Sequence, residues 1–224
     1  MLTGKTSGKR CSQQMVKIFF KMLYCLAGTK RSLWKGDSDM GLSWGKTRNI
    51  LEQDFLCEKL RGRVQYFFTL YHNAPDQDGR FAVRVDGEEI FQANPYNWKY
   101  YDDYYNVLHQ SENVPFREWD GKRFLFDEEN REIEERAALL AIGDGKADSY
   151  DVSRSIDVYL NQRVEESLES ENLLLRMFAV LDRRIGRRTL LKLVDSYRSL
   201  PEWLRRIYEL RFEAEGIYCE SPIK

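Results

Sequence analysis

Val64-Gln-Tyr-Phe-Phe-Thr-Leu70 and Phe81-Ala-Val-Arg-Val-Asp-Gly-Glu-Glu-Ile90 decide the fold of this 224-residue chain. In the first stretch Val64, Tyr66, Phe68 and Leu70 alternate with Gln65, Phe67 and Thr69, the period of a half-buried strand. The polar run Asn73-Ala-Pro-Asp-Gln-Asp-Gly79 then turns the chain. A second strand, Phe81–Val85, runs into Asp86-Gly87, a dipeptide that favours a two-residue type I′ hairpin because both positions tolerate positive φ. Such a turn sets a register, with Val85 opposite Glu88 and Val83 opposite Ile90. Asn94-Pro95 ends the third strand. The pattern predicts a three-stranded antiparallel meander.

Upstream, Ser43 is a plausible N-cap, and Trp44, Ile50, Leu51 and Phe55 recur at helical spacing toward Gly62. This helix is expected across one face of the sheet. Downstream, Tyr96, Trp98, Tyr100, Tyr101, Tyr104 and Tyr105 crowd into ten positions. On a helix Trp98, Tyr101, Tyr105 and Leu108 share one face, expected against the sheet, while Asp102 and Asp103 face water. Tyr96, Tyr100 and Tyr104 point elsewhere and are candidate binding residues, since a tyrosine ring packs while its hydroxyl still finds a partner. Residues 113–150 have the look of a linker. Pro115, Trp119, Asp120-Gly121 and Phe124-Leu-Phe126 suggest a turn with a short strand or hairpin. Asp127–Arg136 begins a charged helix whose apolar content starts at Ala137 and which Gly143-Asp-Gly145 breaks; its acidic run is expected to be a solvated face.

Toward the C-terminus Ile156, Leu160, Val164 and Leu168 form one stripe. Ser170 can cap the next helix, whose apolar face is Leu174, Met177, Phe178, Leu181 and Ile185. Gly186 is expected to stop that helix in a left-handed conformation, with Arg183 and Arg184 complementing its last carbonyls. Leu190, Leu193, Val194 and Tyr197 belong to a further helix. Pro201 opens the last one, with Trp203, Leu204, Ile207, Tyr208 and Leu210 as its apolar content, and Gly216 closes it. The predicted class is therefore α+β: an N-terminal helix plus a three-stranded antiparallel meander, followed by an all-helical C-terminal half. The divisions are a basic extension over 1–40, the helix and meander over 41–112, the linker with its charged helix over 113–150, the helical region over 151–217 and a tail over 218–224.

With 35 Lys and Arg against 36 Asp and Glu the net charge is −1, which argues against a binder of nucleic acid over its whole surface. The balance is uneven. Residues 1–40 carry eight Lys or Arg against Asp37 and Asp39, a charge of +6 that leaves −7 for the rest. Lys17–Gly28 superficially resembles a signal-peptide core, but Lys21 interrupts it. The segment is expected to be an unordered or docking extension, or to precede a native start at Met40. Cys11, Cys25, Cys57 and Cys219 are scattered, which suits a reducing cytoplasm. No apolar run approaches the roughly 18 residues that span a bilayer.

Several segments carry a family resemblance. Ser43-Trp-Gly-Lys46, Leu60-Arg-Gly-Arg-Val64, Glu165-Glu-Ser-Leu-Glu-Ser-Glu171, Asp182-Arg-Arg-Ile-Gly-Arg-Arg188 and Leu210-Arg-Phe-Glu-Ala-Glu-Gly-Ile217 resemble, in order, the motifs of an uncharacterised family of small bacterial proteins. The likeness covers about residues 42–217. It implies domain limits and no catalytic residue, because the family has no assigned activity.

The sequence offers little chemistry of its own. His72 and His109 lack the spacing of a zinc enzyme, and there is no Gly-x-Ser-x-Gly turn. Gly41-Leu-Ser-Trp-Gly-Lys-Thr47 is one residue short of a phosphate-binding loop and holds a bulky Trp44. Adjacent Glu165 and Glu166 project about 100° apart on a helix and cannot work as a pair. No catalytic residue, metal ligand or cofactor is expected. The candidate binding residues are Arg183, Arg184, Arg187, Arg188, Arg205 and Arg206, with Tyr96, Tyr100 and Tyr104. These arginines could pair with acids such as Asp182 and Glu209, meet an acidic protein partner, or converge on phosphates. The favoured expectation is a non-enzymatic module that binds a protein in the cytoplasm, of adaptor or toxin-neutralising type. A nucleic-acid-binding module using the same arginines is the alternative, and a small hydrolase whose site forms only in the fold is the third.

Overall fold

Asp86 and Gly87 both take positive φ, 50° and 85°, as the type I′ turn requires, and Val85 lies opposite Glu88. The structure, a computed structural model, describes residues 43–70, 79–125 and 127–217. The basic extension over 1–40, the turn over 73–78, His72, Phe126 and the tail over 218–224 lie outside the described residues. The sheet consists of β1 (Val64–Leu70), β2 (Gly79–Val85) and β3 (Glu88–Ala93), antiparallel in the order β1-β2-β3. The meander and the α+β class are as expected.

The register departs from expectation one step beyond the turn. Arg84 pairs with Glu89, but Val83 pairs with Phe91 rather than with Ile90. Ile90 is the extra residue of a β-bulge. Side chains alternate across a strand, so one inserted residue moves everything after it to the opposite face. Without it Gln92 would face the core; with it Phe91 and Ala93 do, and both are buried beside Phe81 and Val83. The opposite face is ionic: Arg80 bonds Glu89 and Gln92, and Arg84 lies 4.4 Å over the Phe67 ring.

Helix α1 (Trp44–Asn49) continues into a π-type segment, Ile50–Phe55, in which the Leu56 amide donates to the Leu51 carbonyl at 3.0 Å. It stops there rather than at Gly62. The reason is tertiary: the Cys57 amide donates to Leu181 and the Arg183 amide to Phe55, at 2.9 and 2.7 Å, so Leu56 must be extended to pair with Asp182. The Glu52 carboxylate, on the same segment, accepts from the Tyr66 amide on the free edge of β1 at 2.8 Å.

Helix α2 (Trp98–Glu112) packs chiefly on α3 (Glu128–Gly143) and not on the sheet. The face that receives it begins earlier than Ala137, because Asn130 and Ile133 are also buried. Between the two helices Trp119 bridges Phe124 around the Asp120-Gly121 turn, where Gly121 has φ 94°. The sheet is covered instead by α4 (Ser149–Asn161), α6 (Leu173–Leu181) and α8 (Glu202–Ala214). Phe178 of α6 meets Tyr66 at 5.8 Å and Tyr159 of α4 at 5.4 Å, and Trp203 of α8 meets Phe91 at 4.6 Å.

The expected stripe from Ile156 to Leu168 is split. Gln162 is extended, so Val164 and Leu168 belong to a separate helix, α5 (Val164–Glu169). Asn172, not Ser170, caps α6: its Oδ1 accepts from the Leu174 amide at 2.9 Å, and the Ser170 hydroxyl accepts from the Asn172 amide. Gly186 is not left-handed. Its φ of −81° and ψ of 164° place it at the N-cap of α7 (Arg187–Leu193), because α6 has already ended at Leu181. Gly216, with φ 63°, does close α8. The aromatic centre makes one prediction: Phe178→Ala lowers stability by about 3–5 kcal/mol, measured by urea unfolding, whereas exposed Leu191→Ala changes it by less than about 0.5 kcal/mol.

Candidate functional site

The six residues from Asp182 to Arg187 form a loop whose side chains divide between holding it and facing water. Asp182 is 1% exposed. Its carboxylate accepts from the Tyr159 hydroxyl, from the Arg184 amide at 2.7 Å, and from Arg184 Nε and Nη2 at 2.9 and 2.6 Å. The Arg184 guanidinium lies 4.2 Å over the Phe55 ring. Burial drives the Tyr159 phenol far above its ordinary range, and the Asp182 charge adds to this, so Tyr159 acts as a donor throughout the accessible pH range.

A second node holds the loop from the other side. Arg211, only 2% exposed, donates through Nε to the Val180 carbonyl at 3.2 Å and through Nη2 to the Ile185 carbonyl at 2.9 Å. Nη1 pairs with Glu215 on the next turn of α8. Glu215 also accepts from Lys59 Nζ at 3.0 Å and from the Cys57 thiol at 3.6 Å, and its carbonyl accepts from Arg187 Nη1 at 2.7 Å. The Arg211 bond first, and Lys59 with it, hold the Glu215 carboxyl down to about 2. The Asp-Arg-Arg and Arg-x-x-x-Glu segments, far apart in sequence, are thus one structural unit.

The candidate arginines meet different fates. Arg184 is committed to Asp182 and Arg187 to the Glu215 carbonyl. Arg183 and Arg188 are exposed and, among the described residues, make no side-chain ion pair. Arg188 shares α7 with Leu191, 50% exposed, and exposed Lys192. Arg206 goes elsewhere. Its Nη2 pairs with Glu88 at 2.8 Å across a cleft of about 360 Å³ between the β2–β3 turn and α8, floored by Ile90 and Leu210. Arg205 is half-buried, with its Nε shielded from solvent. Four arginines therefore gather at the loop, and the Arg205-Arg206 pair is not part of that group.

The tyrosines divide in the same way. Tyr96 is 71% exposed. Tyr100 lies between Lys99 and Lys146, 4.8 and 5.3 Å from its ring centre, and the Tyr104 hydroxyl donates to Asp144, so these two fasten α2 to the turn after α3. Beside them is a polar cluster that the sequence did not reveal. His109, 2% exposed, donates from Nδ1 to the Val114 carbonyl at 2.9 Å between the rings of Tyr105 and Phe116. Arg117 pairs with half-buried Glu134 at 3.2 Å. Only the i, i+4, i+8 spacing of Tyr101, Tyr105 and His109 could have hinted at this shared face. Among the described residues no three His, Cys, Asp or Glu side chains are placed to hold a metal ion, and no helix is long and apolar enough to cross a membrane.

The Glu215 node sets a pH dependence. A carboxylate whose folded pKa is depressed contributes stability that is complete above its unfolded value near 4.5 and is lost as the pH falls toward 2. Glu215→Gln should therefore flatten the acid limb of the stability curve over that window, measured by thermal unfolding at a series of pH values. Arg211→Met, which leaves the Val180 and Ile185 carbonyls and Glu215 without their donor, costs about 3 kcal/mol at neutral pH.

The model of the SF0329 protein family matches residues 43–212, a span that includes α1, the sheet, the arginine loop and most of α8. No curated protein and no solved structure matches the chain. With three quarters of its length inside that match, and its limits close to those that the sequence motifs implied, the chain belongs to the SF0329 protein family, which has no assigned activity.

Proposed function

We propose that this protein is a non-enzymatic binding module that takes an acidic segment of a partner protein on the outer face of α7. One observation carries the reading. Arg183, Arg188 and Lys192 are exposed without an ion pair among the described residues, and Arg188 and Lys192 stand beside exposed Leu191 on α7, with Arg183 in the loop that precedes it. Arg188, Leu191 and Lys192 are three and four apart on a helix and so share a face. Cations around one apolar side chain suit a partner strand or helix that offers Asp or Glu beside an apolar residue. The Asp182 and Glu215 nodes beneath keep the loop in one arrangement, which lowers the entropy lost on binding. An adaptor or toxin-neutralising role in a bacterial cytoplasm fits such a module.

The test uses fluorescence anisotropy with two labelled probes of equal charge, an acidic peptide containing leucines and a single-stranded oligonucleotide. The proposal expects the peptide to bind, and the charge reversal Arg183→Glu/Arg188→Glu/Lys192→Glu to weaken it about tenfold or more with no change in unfolding temperature. Equal binding by the variant would remove α7 as the site. Tighter binding of the oligonucleotide, with a salt slope that counts several phosphates, would replace the protein partner by a nucleic acid.

A further inference from the structure

The cleft between the β2–β3 turn and α8 carries more acid than the fold uses. Asp86, Glu88, Glu209 and Glu213 line it against two cations, Arg63 and Arg206, an excess of two negative charges. Arg206 is taken by Glu88, and Arg63 divides between Asp86 at 2.8 Å and Glu213 at 3.6 Å. Glu209 is exposed and has no ion pair among the described residues. The floor is apolar. Leu210 forms part of it, and so does Ile90, the bulge residue left out of the ladder with β2. The volume of about 360 Å³ is that of roughly a dozen waters, room for side chains from outside.

The order of these groups along α8 mirrors the order on α7. Glu209 and Leu210 are adjacent, and Glu213 follows three residues later; on α7 Leu191 and Lys192 are adjacent, and Arg188 precedes them by three. Each set occupies one face of its helix over about one turn. Laid antiparallel, the two sets match member for member: Lys192 opposite Glu209, Leu191 opposite Leu210 and Arg188 opposite Glu213. Run parallel, the charges still meet but the leucines do not. No residue of α7 lines the cleft of its own chain. Arg211, which holds the arginine loop, projects about 160° around α8 from Glu213. Both faces are therefore open on one molecule at the same time.

We propose that the acidic partner of the α7 face is a second copy of this chain, which offers its α8 cleft. The inference rests on α7 being a partner surface and names its occupant. Leu191 enters the cleft over Leu210 and Ile90, while Lys192 and Arg188 meet the excess acid of Glu209 and Glu213 at the rim. The two patches differ, so the contact is head-to-tail and repeats from copy to copy until it closes on itself. One short helix in one cleft is a contact of transient size, so association is weak and falls as salt screens the rim charges.

Sedimentation velocity of the full chain from about 1 μM to about 1 mM tests this. The wild type should associate as its concentration rises, and less so in high salt. Lys192→Glu and Glu209→Lys change exposed residues that have no ion pair among the described residues. Each should weaken association about tenfold with no change in unfolding temperature. The double variant Lys192→Glu/Glu209→Lys should associate again, because the reversed charges face each other across the contact. The labelled acidic peptide separates this from the reading of α7: Lys192→Glu should weaken its binding, and Glu209→Lys should not. A wild type that binds the peptide but stays monomeric at about 1 mM keeps the α7 face and overturns the second copy as its partner. Association that Glu209→Lys leaves intact, or that the double variant does not recover, overturns it as well.

Discussion

The guanidinium of Arg211, buried against the end of α6, is the constraint on which the helical half of this protein is built. The last carbonyls of a helix have no partner within it, and at a buried end they must find donors elsewhere. Here one side chain from α8 supplies the Val180 carbonyl and, past the end of the helix, the Ile185 carbonyl. A buried cation would be prohibitive alone. Glu215, one turn on, compensates its charge, and Lys59 and Cys57 satisfy what remains of that carboxylate. Three distant parts of the chain are thereby required to meet.

Asp182 repeats the logic on a smaller scale. It is buried with its charge answered by Arg184 and its second oxygen by Tyr159. The backbone pairing of Phe55 and Cys57 with Leu181 and Arg183 then fixes where α1 must end. The arginine loop is therefore rigid for reasons that lie beneath it. Its exposed cations are presented by a scaffold and are not part of the packing.

Much of the fold was legible. The alternation in β1, the Asp86-Gly87 turn and the apolar stripe of α6 are local signals, and local physics sufficed for them. What stayed hidden depends on partners distant in sequence. Nothing near Ile90 announces a bulge; it follows from the need to bury both Phe91 and Ala93 against α-helices elsewhere in the chain. Gly186 looked like a helix stop because Ile185 continued the apolar stripe, yet Ile185 is buried from a loop and the helix has already ended. The site was legible only in composition. Four arginines around Gly186 were visible, but which of them Asp182 and Glu215 would claim depends on backbone paths that a single sequence does not reveal. Asn130, Arg211 and Tyr208 are buried polar residues of types usually found at surfaces or half-wet, and pattern reading passes over them for that reason.

The carboxylate of Glu52 on the Tyr66 amide has a consequence for how this protein can meet others. An open three-stranded sheet has two rims, and an exposed rim invites a neighbouring chain to add a strand. On the β1 side an anion already occupies a donor that an incoming backbone would need, and on the β3 side the bulge at Ile90 breaks the even spacing of the ladder. Both rims are thus unfit templates. Neither rim offers an incoming strand an even, unoccupied ladder.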